Sequence, residues 1–195
     1  MASAPSLGLY DPRHEHDACG VGFVVDIKGR KSHGILQQAL RVLKNLQHRG
    51  ACGCEANTGD GAGVLIQMPD AFLRKVAPAP LPAAGEYGVG LVFLPRDGRD
   101  REAAEALVAR IVAEEGQTVL GWRNVPTEDA AVGPSAVAVE PVFKHLFIAK
   151  SASLTGPDAR ARFERKLYVI RKRIEHEADR LPLSDAMITR SSRVT

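Results

Sequence analysis

The chain has 195 residues, 45% of them hydrophobic and 25% charged, with a formal net charge of +3; this suffices for one globular core and excludes a disordered or fibrous protein. No stretch approaches the roughly 20 consecutive apolar residues of a membrane span, and the N-terminus lacks the basic and apolar regions of a secretory signal, so a cytoplasmic location is expected, with no membrane partner. Basic residues are interleaved with acidic ones, as over 161–180, which argues against nucleic acid as a partner, and three cysteines without a secretion signal point to reduced thiols.

Residues 1–18 carry Pro5, Gly8 and Pro12 with neither helical nor strand period, and read as an extended leader suited to removal. Cys19 to Ile27 is a short β-rich run closed by Lys28-Gly29-Arg30, which predicts a first strand and a turn. Ser32 offers an N-cap, and Ile35, Leu36, Ala39, Leu40, Leu43 and Leu46 recur at three- and four-residue spacing, predicting an amphipathic helix to about Gln47 that presents His48-Arg49-Gly50 at its end. A turn-rich stretch to Gly63 precedes a second expected strand, Val64 to Met68, with Gly61 and Gly63 permitting tight turns or close backbone approach.

Ala77-Pro78-Ala79-Pro80-Leu81-Pro82 reads as an exposed loop before a strand at Tyr87 to Leu94 and a helix from Arg99 to Ala113. Gln117 to Trp122, Ser135 to Val139 and Val142 to Ile148 are further strand candidates. Thr155-Gly156-Pro157 starts a helix whose apolar face is Phe163, Leu167, Ile170 and Ile174, running to about Arg180. There is no internal repeat and no linker long enough to split the chain. The pattern gives an α+β or α/β domain, and periodicity does not choose between layerings.

Cys19 stands at the first position of the strand-like run Cys19-Gly20-Val21-Gly22-Phe23. A cut before it would make it an N-terminal nucleophile: an α-amine has a pKa of about 7.7–8.0 and a thiol about 8.5, so the amine can take the thiol proton near neutral pH. On spacing alone, the competing reading is a small apolar residue at the edge of a buried strand. The lead Leu9-Tyr10-Asp11-Pro12, then His14-Glu15-His16-Asp17-Ala18, together with Leu43-Lys44-Asn45-Leu46-Gln47-His48-Arg49-Gly50-Ala51 and Thr58-Gly59-Asp60-Gly61-Ala62-Gly63, resembles the maturation site and first domain of glutamate synthase large subunits. That first domain is a class II glutamine amidotransferase. The resemblance is clear from about Tyr10 to Phe72 and looser to about Tyr168.

The resemblance implies an α+β fold, the four-layer αββα sandwich of N-terminal-nucleophile hydrolases, incomplete in this chain, with 1–18 as leader and 19–195 as a partial amidotransferase domain. It implies glutamine as substrate, hydrolysed to glutamate and ammonia through a thioester on Cys19. Arg49, in Gln47-His48-Arg49-Gly50-Ala51, takes a supporting role, the alternative being an arginine that ties helix C-terminal carbonyls. Ser191-Ser192-Arg193 is the local match to the family's Ser-Ser-Arg-Thr segment and makes Arg193 a candidate clamp for the substrate carboxylate, although Val194-Thr195 departs from the pattern. The tail from about Leu181 does not read as the apolar strand expected there.

The family's oxyanion hole uses an Asn-Gly pair, and no Asn-Gly dipeptide occurs in this sequence. The isolated chain is therefore expected to be inactive, and the second reading is a non-catalytic remnant or assembly module. FMN and an iron–sulfur cluster are implied only for later domains, and no cofactor or metal for this chain; the remaining synthase domains and the small subunit are the implied partners. Cys52 and Cys54 with His48 and Cys19 invite a metal reading, but Cys-x-Cys is a poor match to zinc-site spacing. Gly59 to Gly63 lacks the Lys-Ser/Thr of a phosphate loop. His14 and His16 leave with the leader, and His145, in an apolar run, reads as a structural histidine.

Overall fold

A computed structural model describes residues 20–50, 55, 57–59, 61–182 and 188–191. They fall into two compact units that divide between Val64 and Leu65.

In the first unit the run from Gly20 ends in a turn. The Gly29 N–H reaches the Asp26 carbonyl at 2.8 Å, and the Asp26 carboxylate accepts from the Lys28 and Arg30 N–H groups and from the Arg30 guanidinium. Gly29 has φ +67°, the left-handed region that a side chain disfavours. Helix α1 (His33–Asn45) follows, capped as expected by Ser32, whose hydroxyl accepts from the Ile35 N–H at 3.3 Å. Neither Gly20 to Ile27 nor Val64 to Met68 is a strand. Both runs carry strand-forming residues, but a strand exists only through a hydrogen-bonded neighbour, and the described residues supply none for either.

The second unit holds all the buried apolar side chains of the described residues, from Met68 to Ala178. Its elements are α2 (Asp70–Val76), β1 (Tyr87–Leu94), α3 (Gly98–Glu114), β2 (Thr118–Asn124), α4 (Pro134–Val137), β3 (Val142–Ala149), α5 (Ala159–Ala178) and β4 (Ile188–Ser191). The sheet order is β2-β3-β1-β4, and each neighbouring pair is antiparallel. A β-α-β-β-α-β sequence in that order is the split arrangement of ferredoxin-like folds, here α+β.

Opposed residues in an antiparallel ladder share a face, so the register sorts the side chains. Gly88, Val92, Lys144, Leu146 and Trp122 face α3 and α5: a Cβ on Gly88 would lie 2.5 Å from Leu167 Cδ1, and Lys144 Nζ pairs with Glu105 at 2.6 Å. The opposite face, with Tyr87, Arg123, His145 and Phe147, is partly covered by residues 68–82. There the Tyr87 hydroxyl donates to Asp70 at 2.8 Å, and Arg74 holds the Leu81 and Pro82 carbonyls. The proline-rich segment is a loop covered on one side only: Ala77 and Leu81 pack on the core and Pro78 caps Gly121, while Pro78 and Pro80 remain exposed.

Three expectations are corrected, and one element was not anticipated. The stretch proposed as strand Ser135 to Val139 is instead the short helix α4, started by Pro134 at its first turn. Helix α5 begins at Ala159, later than Thr155, because the turn around Gly156 (φ +89°) intervenes. Helix α2 has no counterpart in the sequence reading, since seven residues carry too little period. The tail after Leu181 contributes β4, whose pairing with β1 supplies what its own composition does not.

Candidate functional site

The nucleophile candidate Cys19 lies outside the described residues, as do Cys52, Cys54 and Arg193. The chain that leaves Cys19 is described from Gly20 onward, and it alternates. Val21, Phe23, Val25 and Ile27 are 87%, 88%, 68% and 99% exposed, whereas Val24 and Asp26 are half-buried. The run thus has the two-sided period of a strand with one side bare. On the other side Gly22 meets α1: a Cβ built on it would lie 2.5 Å from Val42 Cγ1. Sequence reasoning missed this contact. Its only signal is the lone small residue between Val21 and Phe23.

At the far end of α1 the Leu46 N–H bonds the Val42 and Leu43 carbonyls at 3.0 and 3.1 Å, and a 3₁₀ turn, Gln47–Arg49, follows. His48 Nδ1 lies 2.9 Å from the Asn45 carbonyl; as that oxygen can only accept, Nδ1 carries the proton. The Gly50 N–H closes the turn on the Gln47 carbonyl at 3.2 Å. The Leu46 N–H and the His48 ring thereby satisfy carbonyls at the C-terminal end of α1. Arg49 is described in its backbone alone, as the last residue of the 3₁₀ turn.

Further along, the Thr58 hydroxyl donates to Glu55 at 2.9 Å. Gly61 and Gly63 have neither a positive φ nor any heavy atom within 4 Å of a built Cβ, so the close approach expected there is absent among the described residues. Ser191, the first residue of the proposed substrate-clamp segment, ends β4 opposite Gly90.

Two polar features belong to the second unit. His145 Nδ1 lies 3.3 Å from Arg123 Nη1 and must accept, which puts the proton of the neutral ring on Nε2. Burial, then the Arg123 charge, hold its pKa below 6.5, consistent with a structural histidine. Separately, an open cleft of about 500 Å³ is lined by Arg96, Asn124, Thr127, Asp129, Glu140 and Phe143, with the Arg96 guanidinium donating to the Ala138 carbonyl. No group of three or more His, Cys, Asp or Glu side chains able to hold a metal ion forms among the described residues. No helix among them is long and apolar enough to cross a membrane.

Comparison with known proteins matches residues 19–193 to the family of class-II glutamine amidotransferases. The chain is similar to the large chain of NADPH glutamate synthase from Bacillus subtilis, 44% identical over 170 residues, which cover 87% of this chain and 11% of that one. It is 40% identical over 174 residues to NADH glutamate synthase from Schizosaccharomyces pombe, covering 86% and 8% of the two chains. A ferredoxin-dependent glutamate synthase from Synechocystis is 35% identical over 173 residues, covering 87% and 11%. The chain thus spans about a tenth of the length of these relatives.

Proposed function

Because the chain belongs to the class-II glutamine amidotransferase family, we propose that it forms the glutaminase part of a glutamate synthase, with Cys19 as nucleophile once residues 1–18 are removed. The observation that carries this reading is that the family match begins at residue 19, the thiol itself.

The chemistry follows from one residue holding two groups. The free α-amine of Cys19 takes the Sγ proton, and the thiolate adds to the side-chain amide carbon of glutamine. Collapse of the tetrahedral intermediate breaks the C–N bond; the ammonium of Cys19 protonates the leaving nitrogen, and ammonia departs. The glutamyl thioester is then opened by water, which gives a proton to the amine as its oxygen bonds the carbonyl carbon, and the thiol and glutamate are released. Arg49 supports the site from the end of α1, and Arg193 clamps the substrate α-carboxylate. In the finer fold, a four-layer αββα sandwich, the bare side made by Val21, Phe23, Val25 and Ile27 is an inner face covered by a second sheet.

In the full-length protein the ammonia passes to the remaining synthase domains, which hold FMN and an iron–sulfur cluster, work with the small subunit and operate in the cytoplasm. A second reading is a non-catalytic remnant or assembly module that does not build an oxyanion hole.

A glutaminase assay separates the two. It compares the 195-residue chain processed to Cys19, the same chain extended with a relative's continuation, and the extended Cys19→Ala variant. The extended form turns over glutamine, Cys19→Ala abolishes turnover, and the short chain is slower by at least about 10²-fold, the cost of a lost oxyanion donor. Activity in a mature protein that retains residues 1–18 by intact mass would overturn the nucleophile assignment.

A further inference from the structure

Glu140 differs from the other half-buried carboxylates of the second unit. Each of those has a partner, as Glu105 has Lys144, and Glu115 has Lys166 and Arg173. The Glu140 side chain has neither a hydrogen bond nor an ion pair among the described residues, although it is half-buried between α4 and β3. It lines the open cleft of about 500 Å³. A carboxylate drawn partly out of water without a cation is unfavourable, and a positive group held in the cleft would offset that.

The rest of the lining narrows what such a group belongs to. Asp129, on the loop after β2, is a second carboxylate without a partner among the described residues, and the Asn124 amide and Thr127 hydroxyl are free in the same way. Arg96 is the cation of the lining. Its Nη1 donates to the Ala138 carbonyl just past α4, which anchors the guanidinium and leaves its other N–H groups without a partner among the described residues. Val137 and Phe143 add apolar surface. A bare anion would meet the two carboxylates, and a hard cation would find too few oxygens for its usual six or more ligands. A small zwitterion with an apolar part satisfies both charges and the wall, and a volume of several hundred Å³ is of that scale.

We propose that this cleft binds an α-amino acid with an apolar side chain: Glu140 and Asp129 take the ammonium, the free N–H groups of Arg96 take the carboxylate, and the side chain lies on Val137 and Phe143. Every lining residue belongs to the second unit, so the site does not depend on Cys19 or on the glutaminase reading.

The test is calorimetric titration of the 195-residue chain with L-phenylalanine, and with two probes that each lack one charge: phenethylamine, without the carboxylate, and hydrocinnamate, without the ammonium. L-Phenylalanine binds in the millimolar range, as suits an open cleft, and each probe binds at least about tenfold more weakly. Glu140→Gln and Asp129→Asn, which keep side-chain size, each weaken L-phenylalanine by at least about fivefold and do not weaken hydrocinnamate, which has no ammonium to lose. Because Arg96 also holds Ala138, its role is read in the unaltered protein, from the loss with phenethylamine. No saturable binding of L-phenylalanine below about 20 mM overturns the proposal. So does phenethylamine binding as tightly as the amino acid, or binding of L-phenylalanine that is unchanged in both carboxylate variants.

Discussion

His145 shows how a single residue in a sheet couples folding to pH. Its ring is half-buried on β3, edge-on to Phe147 at 6.2 Å between centroids, and it accepts from the Arg123 guanidinium, so the neutral form is the one that fits. The folded pKa lies below 6.5. As pH falls through about 6.5 the unfolded chain therefore takes up a proton that the folded chain refuses, and stability declines until the lower folded value is reached. An NMR titration should place the His145 midpoint below that of an unfolded peptide, and urea unfolding should show His145→Gln losing less stability than the parent between pH 7.5 and pH 5.5. Gln117 is the corresponding buried residue without a charge. Its side chain donates to the Glu115 carbonyl at 3.1 Å and accepts from the Ser151 N–H at 2.9 Å, which ties the end of α3 to the end of β3.

Among the elements, β2 joins a steric constraint to a backbone one. Its ladder with β3 is irregular between Val119 and Gly121, and Gly121 has φ +147°, with a built Cβ 2.8 Å from Pro78 Cγ. Gly121→Ala should cost about 1–3 kcal/mol by chemical denaturation, combining backbone strain with displacement of the 77–82 segment. Helices α3 and α5 are joined differently, by charge. Arg173 reaches Glu114, Glu115 and Glu177, while Lys166 pairs with Glu115 at 2.7 Å and Arg110 with Glu177 at 2.6 Å. The arginine hydrogen bonds hold the Glu114 and Glu177 carboxyls below their usual pKa; for Glu115, Lys166 acts first and Arg173 second. The network is therefore complete above pH 4.5 and fails as acid protonates it. Arg173→Met should lower the unfolding midpoint at low salt, with the difference shrinking toward zero near about 1 M salt, because these groups are partly exposed and screened. The order of strand and helix in this unit was legible in the sequence, since β1, α3, β3 and α5 each bury one apolar face. The short α2 and α4 were not, because pieces of four to seven residues take their form from what they dock on.

At the scale of the molecule, the buried apolar side chains of the described residues all lie in the second unit, and α1 buries no residue at all. Native-state hydrogen exchange should follow that division. The slowest amides belong to β1, β3, α3 and α5, and those of Gly20 to Ile27 exchange near unprotected rates, since they lack ladder partners among the described residues. Protection of Gly20 to Ile27 equal to that of β1 would contradict this distribution. On the proposed four-layer fold, the same segment should become protected in the extended protein, where a second sheet would cover Val21, Phe23, Val25 and Ile27.

By itself the sequence determined the family, through the Cys19-Gly20 start and the Gln47-His48-Arg49-Gly50-Ala51 and Gly59-Asp60-Gly61-Ala62-Gly63 runs. It also determined the Ser32-capped helix and the alternation of the run after Cys19, because caps and periods are properties of neighbouring residues. Only the tertiary structure decided that this run has no ladder partner among the described residues, that β4 joins β1, that the proline segment folds back over Gly121, and that Gly22 lies close to Val42. Each of these depends on atoms brought together from distant positions in the chain. The approach of Gly22 to Val42, twenty residues away, has no counterpart in local composition.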